Sequence, residues 1–413
     1  MALQISVPFG PSAQRSFFEV FPSRPAVFAL FLKGPTDAES LPYLSRATDL
    51  RRRLTHLLDQ PALGKPIGSP DRGFTARSKR LNLREVTRRI DYQCVGSNFE
   101  ARWLLYRLNR FYYPQNYQQR LHLKPPALLK LNLNNPFPRC YPTRRLSNDG
   151  SLYYGPFPSR AAAESFAAEF LDLFKIRRCV EDLNPNPAHP GCIYSQMHMC
   201  LAPCFQGCTD DEYKLEVGRV VSFLDSEGQS LVRVLEAERA QASDVLDFEQ
   251  ATKVHRKLEK VHAVLRLKPG LARNLTELNA MIVQRGREPK TVAFFRVSGG
   301  ALRGPVMLSL EEKVSSPIPL DHQIRTLLES LEAEGRLERP PESDPVPDRL
   351  DATAEASSLP PWEHLSFLAR WYYSSFREGE LVMLARNQEI PHARLIRVCR
   401  KILASGQEEG GKQ

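Results

Sequence analysis

The spacing of apolar and polar positions divides the chain into short stretches of different kinds. Ala26-Val-Phe-Ala-Leu-Phe-Leu32 is an unbroken apolar run of strand length, the signature of a strand covered on both faces. Pro42-Tyr-Leu-Ser-Arg46 and Arg89-Ile-Asp-Tyr-Gln-Cys-Val95 read as a second and a third strand. Between them residues 48–58 predict a basic helix with Leu50, Leu54 and Leu57 on one face, followed by a Gly/Pro/Ser/Arg-rich loop over 60–80. Ser97-Asn-Phe-Glu100 has the spacing of a capping box and opens a helix that runs to Tyr112, where Pro114 stops it. Residues 1–23 read as a loosely held, flexible arm. The expectation for 24–118 is a small α/β domain with a three-stranded sheet.

Downstream, residues 119–178 predict a Pro-rich extended segment followed by an alanine-rich helix over 161–174. Residues 209–268 carry the strongest helical period. Asp247 is placed to cap a helix, with Phe248, Ala251, Val254, Leu258, Val261 and Leu265 at spacings of three and four. A preceding helix through Leu231, Leu235, Ala242 and Val245 pairs with it as an antiparallel hairpin. Residues 269–330 predict a β-hairpin region, turning at Ser298-Gly-Gly300. The Glu/Pro/Asp/Ser-rich stretch 331–361 reads as a disordered linker, and 362–413 as a C-terminal helical segment. The fold class is α+β and multidomain.

Composition narrows the function. The 413-residue chain has 42% hydrophobic residues and a formal net charge of +10, an ordinary globular balance tilted toward a polyanionic partner. No stretch reaches the roughly 20 apolar residues of a membrane span, and the first residues lack the basic-then-apolar order of a secretory signal. The expectation is a cytoplasmic protein with no membrane partner and no small-molecule substrate, whose eight cysteines are not a disulfide framework. Cys94, Cys140 and Cys399 read as core residues. Cys179, Cys192, Cys200 and Cys204 lie within one stretch of 26 residues, the donor set of a soft metal centre. Only one gap among them has the short spacing of a zinc knuckle, which favours an iron–sulfur cluster, with zinc as the alternative. His198 and Cys208 are rival ligands.

The run Arg178-Cys179, then Cys192-Ile-Tyr-Ser-Gln-Met-His-Met-Cys200-Leu-Ala-Pro-Cys204, resembles the cysteine region of the UvrC family of excinucleases, which acts in nucleotide excision repair. Tyr153-Tyr-Gly-Pro-Phe-Pro-Ser159 is similar to the segment just upstream in that family. Leu246-Asp-Phe-Glu-Gln-Ala-Thr-Lys-Val-His-Arg256 is similar to its UVR motif, a helical hairpin that engages UvrB. The resemblance implies a [4Fe–4S] cluster on the four cysteines, damaged double-stranded DNA and UvrB as partners, and a partner-binding face at Phe248, Glu249, Ala251, Val254 and Leu258.

The resemblance further implies a GIY-YIG nuclease module, with Mg²⁺ as its cofactor if it is active. In that family a first tyrosine activates water, a second tyrosine and basic residues hold the phosphate, and a glutamate binds the metal. Here Tyr43, Arg46 and Arg53 stand at matching positions, but Phe28 replaces the first tyrosine and Leu105 the glutamate. Two catalytic contributions are absent, which predicts a degenerate module. Arg46, Arg51, Arg52, Arg53, Arg77, Lys79 and Arg80 remain as a phosphate-binding surface. Three readings follow: a DNA- and UvrB-binding repair protein with reduced or absent incision, an active Mg²⁺-dependent endonuclease with a rearranged site, or a non-enzymatic adaptor for UvrB.

Overall fold

A computed structural model describes residues 3–33, 41–59, 83–309, 322, 359–385 and 391–410. The expected Arg77, Lys79 and Arg80 lie outside the described residues, as does most of the expected linker. The chain is α+β, and its described residues form three four-stranded sheets.

The first sheet has the order β1-β4-β2-β3, with β1 at Ile5–Pro8, β2 at Ala26–Leu32, β3 at Tyr43–Ala47 and β4 at Thr87–Cys94. Strand β2 is central and antiparallel to both neighbours, Phe28 lying opposite Ser45 on one side and Tyr92 on the other. Its unbroken apolar run serves two cores. Ala26, Phe28 and Leu30 face helix α1 (Leu50–Leu58), where they meet Leu50, Leu54 and Leu58. Val27, Ala29 and Phe31 face the opposite way, toward Ala101, Leu104 and Leu108. The three-stranded sheet and flexible arm expected for this region are corrected here. Residues 5–8 pair with β4, Ile5 opposite Tyr92, and Phe9, Phe18 and Phe21 are buried beneath α1. Those phenylalanines are separated by Glu19 and by turn residues, so no period marks them as an element.

Helix α2 (Leu83–Val86) leads into β4, and α3 (Asn98–Tyr112) follows it. Helix α3 works on two faces. Ala101, Leu104 and Leu108 cover the first sheet, while Phe99, Trp103 and Tyr106 enter a second core with Phe295, Val297 and Trp371. Trp103 Nε1 donates to the Gly304 carbonyl at 2.9 Å, and the Phe99 and Phe295 rings meet edge to face at 4.9 Å. This helix therefore ties the N-terminal sheet to the C-terminal part of the chain.

A short helix α4 (Tyr117–Arg120) precedes the second sheet, ordered β6-β5-β7-β8. It is formed by β5 (Ala127–Leu131), β6 (Cys140–Thr143), β7 (Leu152–Phe157) and β8 (Arg273–Asn274). The expectation of an extended Pro-rich segment is corrected: three of these strands lie within it, short and interrupted by Pro142 and Pro156, which masks the alternation. Helix α5 (Arg160–Leu171) packs Ala163, Phe166 and Phe170 onto this sheet. After a short helix α6 (Ile193–Gln196) come α7 (Asp210–Asp225), α8 (Gln229–Asp244) and α9 (Phe248–Leu267). The span 209–268, expected to be a hairpin, thus holds three helices, the last two being the expected pair, and Val232, Leu235, Val254, Leu258, Val261 and Val264 join one core with α5.

The third sheet has the order β11-β10-β9-β12, with β9 at Ala280–Arg285, β10 at Thr291–Ser298, β11 at Ala301–Ser309 and β12 at Glu380–Met383. The β10–β11 hairpin turns at Gly299 and Gly300, with φ of 52° and 79°, a two-residue turn that needs the left-handed conformation at both positions. Helix α10 (Trp362–Tyr372) covers one face and α11 (His392–Gly410) the other. The C-terminal segment is therefore not helical alone, because β12 pairs with β9.

Candidate nucleic-acid interface

The side chains expected for a nuclease module are only partly gathered. Phe28 is fully buried with its ring centroid 6.5 Å from that of Tyr43, and both belong to the core beneath α1. Leu105 is half-buried on the other side of the sheet, where it lines a cavity of about 250 Å³ with Arg46, Arg102, Arg120 and Arg370. Asn98, Arg102 and Leu105 stand at helical spacings of four and three, so α3 presents all three to this cavity. Arg46 reaches it from β3 and donates to Asn98 Oδ1. Arg120 is held by a 3.1 Å hydrogen bond to Asn109 Oδ1 and lies 3.7 Å above the Tyr113 ring. Among the described lining residues Glu378 supplies the only carboxylate, and its Oε2 accepts the Asn98 backbone N–H at 2.9 Å. Burial, followed by repulsion from Arg46 and Arg370, lowers the pKa of Arg102.

A second cavity shares Arg46, Asn98 and Glu378 with the first and adds Arg52, Arg53 and His56 of α1. Asp49 also lines it but caps α1, accepting the Arg52 N–H at 2.9 Å, and takes the Ser23 hydroxyl at 2.8 Å. Arg51, expected to contact DNA, turns the other way: its guanidinium donates to the carbonyls of Phe21 and Glu19 at 2.7 and 3.2 Å, which pins the N-terminal turn against α1. Glu100 does not serve the site either. It is 1% exposed, its Oε2 accepts the Gly96 N–H at 2.8 Å, and the Ser97 hydroxyl oxygen accepts the Glu100 N–H at 3.1 Å. The expected capping box is present with Gly96 in place of Ser97 as donor.

Arg102, Arg120, Arg370 and Glu378 also line this site, and only Arg102 carries a signal in the sequence. That signal is its place on one helix face with Asn98 and Leu105. Arg120, Arg370 and Glu378 come from distant parts of the chain, and nothing local marks them.

The cysteine region folds against α7. Arg177, 2% exposed, donates to the carbonyls of Phe137 and Glu181 at 2.7 and 2.6 Å and to Cys179 Sγ at 3.6 Å, while its own N–H goes to the Tyr213 hydroxyl at 2.9 Å. The Ala202 N–H donates to Cys200 Sγ at 3.3 Å. Burial first, then the neighbouring Cys179, Cys192 and Cys204, push the Cys200 thiol up to about 11, so the four expected cysteines share one neighbourhood. Cys208 feels Cys204 but sits chiefly beside Glu212 and Asp210, and His198 is exposed. Among the described residues no three His, Cys, Asp or Glu side chains stand at metal-ligating separations. The donor set itself, soft thiols with a backbone N–H directed at sulfur, suits an iron–sulfur or zinc centre. Cys140 and Cys399 are core residues as expected, and Cys94 is half-buried.

In the helical unit, Asp247 accepts the Gln250 N–H at 3.0 Å and so starts α9 as its spacing implies. Val254 and Leu258, expected on the partner-binding face, are enclosed by the chain's own core at 0% and 5% exposure. Glu249 is exposed and paired with Lys253 at 2.7 Å, and Ala251 is half-buried. Val245, Leu246 and Phe248 at the α8–α9 connection are 70%, 71% and 69% exposed, an apolar tip that the three-and-four period does not separate from the buried stripe.

Residues 127–223, covering β5 to α7, match the family described as UvrC/Cho excinuclease, middle domain. The chain is similar to the UvrABC system protein C of Carboxydothermus hydrogenoformans, 27% identical over 262 residues that cover 63% of this chain and 41% of the relative. It is also similar to that of Trichlorobacter lovleyi, 26% identical over 297 residues, 71% of this chain and 46% of the relative. With that of Syntrophus aciditrophicus it shares 31% identity over 137 residues, 33% of this chain and 22% of the relative. The matched stretches span less than half of each of these relatives. No solved structure matches. The family match over the second sheet, α5 and the cysteine region and the relatives' common description agree: over these stretches the chain is similar to UvrC proteins.

Proposed function

We propose that the chain acts in nucleotide excision repair as a UvrC-like protein that binds damaged double-stranded DNA and UvrB but incises DNA poorly or not at all. The observation that carries this reading is the composition of the cleft around Leu105, where arginines gather and the expected metal-binding carboxylate is missing. Mg²⁺ does not fit those residues: Leu105 offers no oxygen, Glu100 is buried and turned to Gly96, and Glu378 accepts the Asn98 N–H. Phe28 has no hydroxyl to act on water. The arginines instead suit phosphate, which guanidinium groups hold bidentately.

Cys179, Cys192, Cys200 and Cys204 would hold a [4Fe–4S] cluster, or zinc as the alternative, as a knot between the second sheet and α7. The exposed tip at Val245, Leu246 and Phe248 would dock UvrB. Gel shifts on lesion-bearing duplex over a salt series test the DNA reading. Affinity should fall steeply with salt, because each neutralised phosphate releases counterions; binding indifferent to salt would contradict it.

A further inference from the structure

The cleft around Leu105 is one part of a longer feature. It shares the lining residues Arg46, Asn98 and Glu378 with the cavity lined by Arg52 and Arg53, and Arg370 with a third cavity lined by Lys124 and Arg144. Only two carboxylates, Asp49 and Glu378, line the three cavities among the described residues, and both already accept backbone N–H groups. Arg102 and Arg370 make no hydrogen bond or ion pair with any described residue, although Arg102 is half-buried. Among the described residues the three cavities thus carry more cationic than anionic side chains, with Glu378 as the counter-charge nearest to Arg102 in effect.

An aromatic ring completes the arrangement. Phe376 lines the first cavity and is 93% exposed. Its neighbours Trp371 and Tyr372 are overlaid by Arg377 at 5.7 and 4.9 Å, whereas Phe376 has no ring partner among the described residues. A large apolar ring left in water beside aligned arginines is the combination that takes an unpaired base on its face while the guanidiniums follow the phosphates. A paired duplex hides its bases within the stack, and a cavity of about 250 Å³ has room for one base turned out of it.

We propose that these linked cavities form a track for a single strand of DNA, with Phe376 stacking on an unpaired base. This rests on the DNA-repair reading and adds to it the strandedness of the ligand.

The test is fluorescence anisotropy of the full chain with a labelled oligo(dT) and, separately, with a fully paired duplex of equal length. Phe376→Ala should weaken oligo(dT) binding about tenfold and leave duplex binding unchanged, with Phe376→Trp restoring it. Arg102→Ala combined with Arg370→Ala should weaken oligo(dT) binding and flatten its salt dependence. Circular dichroism melts matching the parent show that the variants fold, and a UvrB pull-down reports the wider reading independently. Oligo(dT) binding untouched by Phe376→Ala, or equal losses on oligo(dT) and duplex, overturns the track; with the pull-down intact, either result leaves the repair reading standing.

Discussion

Glu100 illustrates what one buried residue does here. Its Oε1 has no partner among the described residues, and burial, partly offset by the Gly96 N–H and by Arg287, raises its pKa from 4.5 to about 6. Between those values the folded chain keeps a proton that the unfolded chain has released. The contribution to stability is therefore full below pH 4.5 and is lost as pH rises through 6, by about 2 kcal/mol. Glu100→Gln should raise urea-unfolding stability at pH 7.5 by about that amount and have little effect at pH 4; equal effects at both values would contradict the assignment. His364 has the opposite sign. Burial lowers its pKa from 6.5 to about 3, so its contribution is lost as pH falls below 6.5, and comparing variant with parent at each pH separates the two. The role of Glu100 at the start of α3 is legible in the sequence because a capping box is local. Its unpaired oxygen is not, because that depends on how tightly the surrounding chain closes over it.

At the scale of elements, β2 and β10 each place alternate residues in two different cores, which is why β2 reads as an apolar run and stands out in the sequence. Strands β5 to β7 are hidden there because each is short, two contain proline, and the edge partner β8 lies more than a hundred residues away in sequence. The period in α9 correctly gives a helix and an apolar stripe, but period alone does not say whether that stripe meets the chain's own core or a partner. Val254→Ser should lower stability by about 2 kcal/mol, since it places a hydroxyl in a filled core. Phe248→Ser, on the exposed tip, should change stability by less than about 0.5 kcal/mol and weaken capture by UvrB. Undiminished capture would remove the tip from the docking surface.

At the scale of the whole molecule, α3 joins the first and third sheets, and the arginine cavities lie along that junction. The net charge of +10 suggests a polyanionic partner without locating it, because Arg46, Arg102, Arg120 and Arg370 meet only once the chain has folded. The four cysteines are legible from spacing, and Cys179, Cys192 and Cys204 all act on the Cys200 thiol. Anaerobically purified protein should be brown with about four irons per chain, and Cys200→Ser should lose both colour and iron; colourless protein carrying one zinc would favour the alternative centre.

Whether the cleft holds DNA without cutting it is decided by incision of a lesion-bearing duplex under conditions where binding is shown to be saturated, with UvrB and Mg²⁺ or Mn²⁺ present. Fully bound DNA should stay intact through the time course. Robust nicking by the parent chain, abolished by Arg53→Ala or Tyr43→Ala, would contradict it.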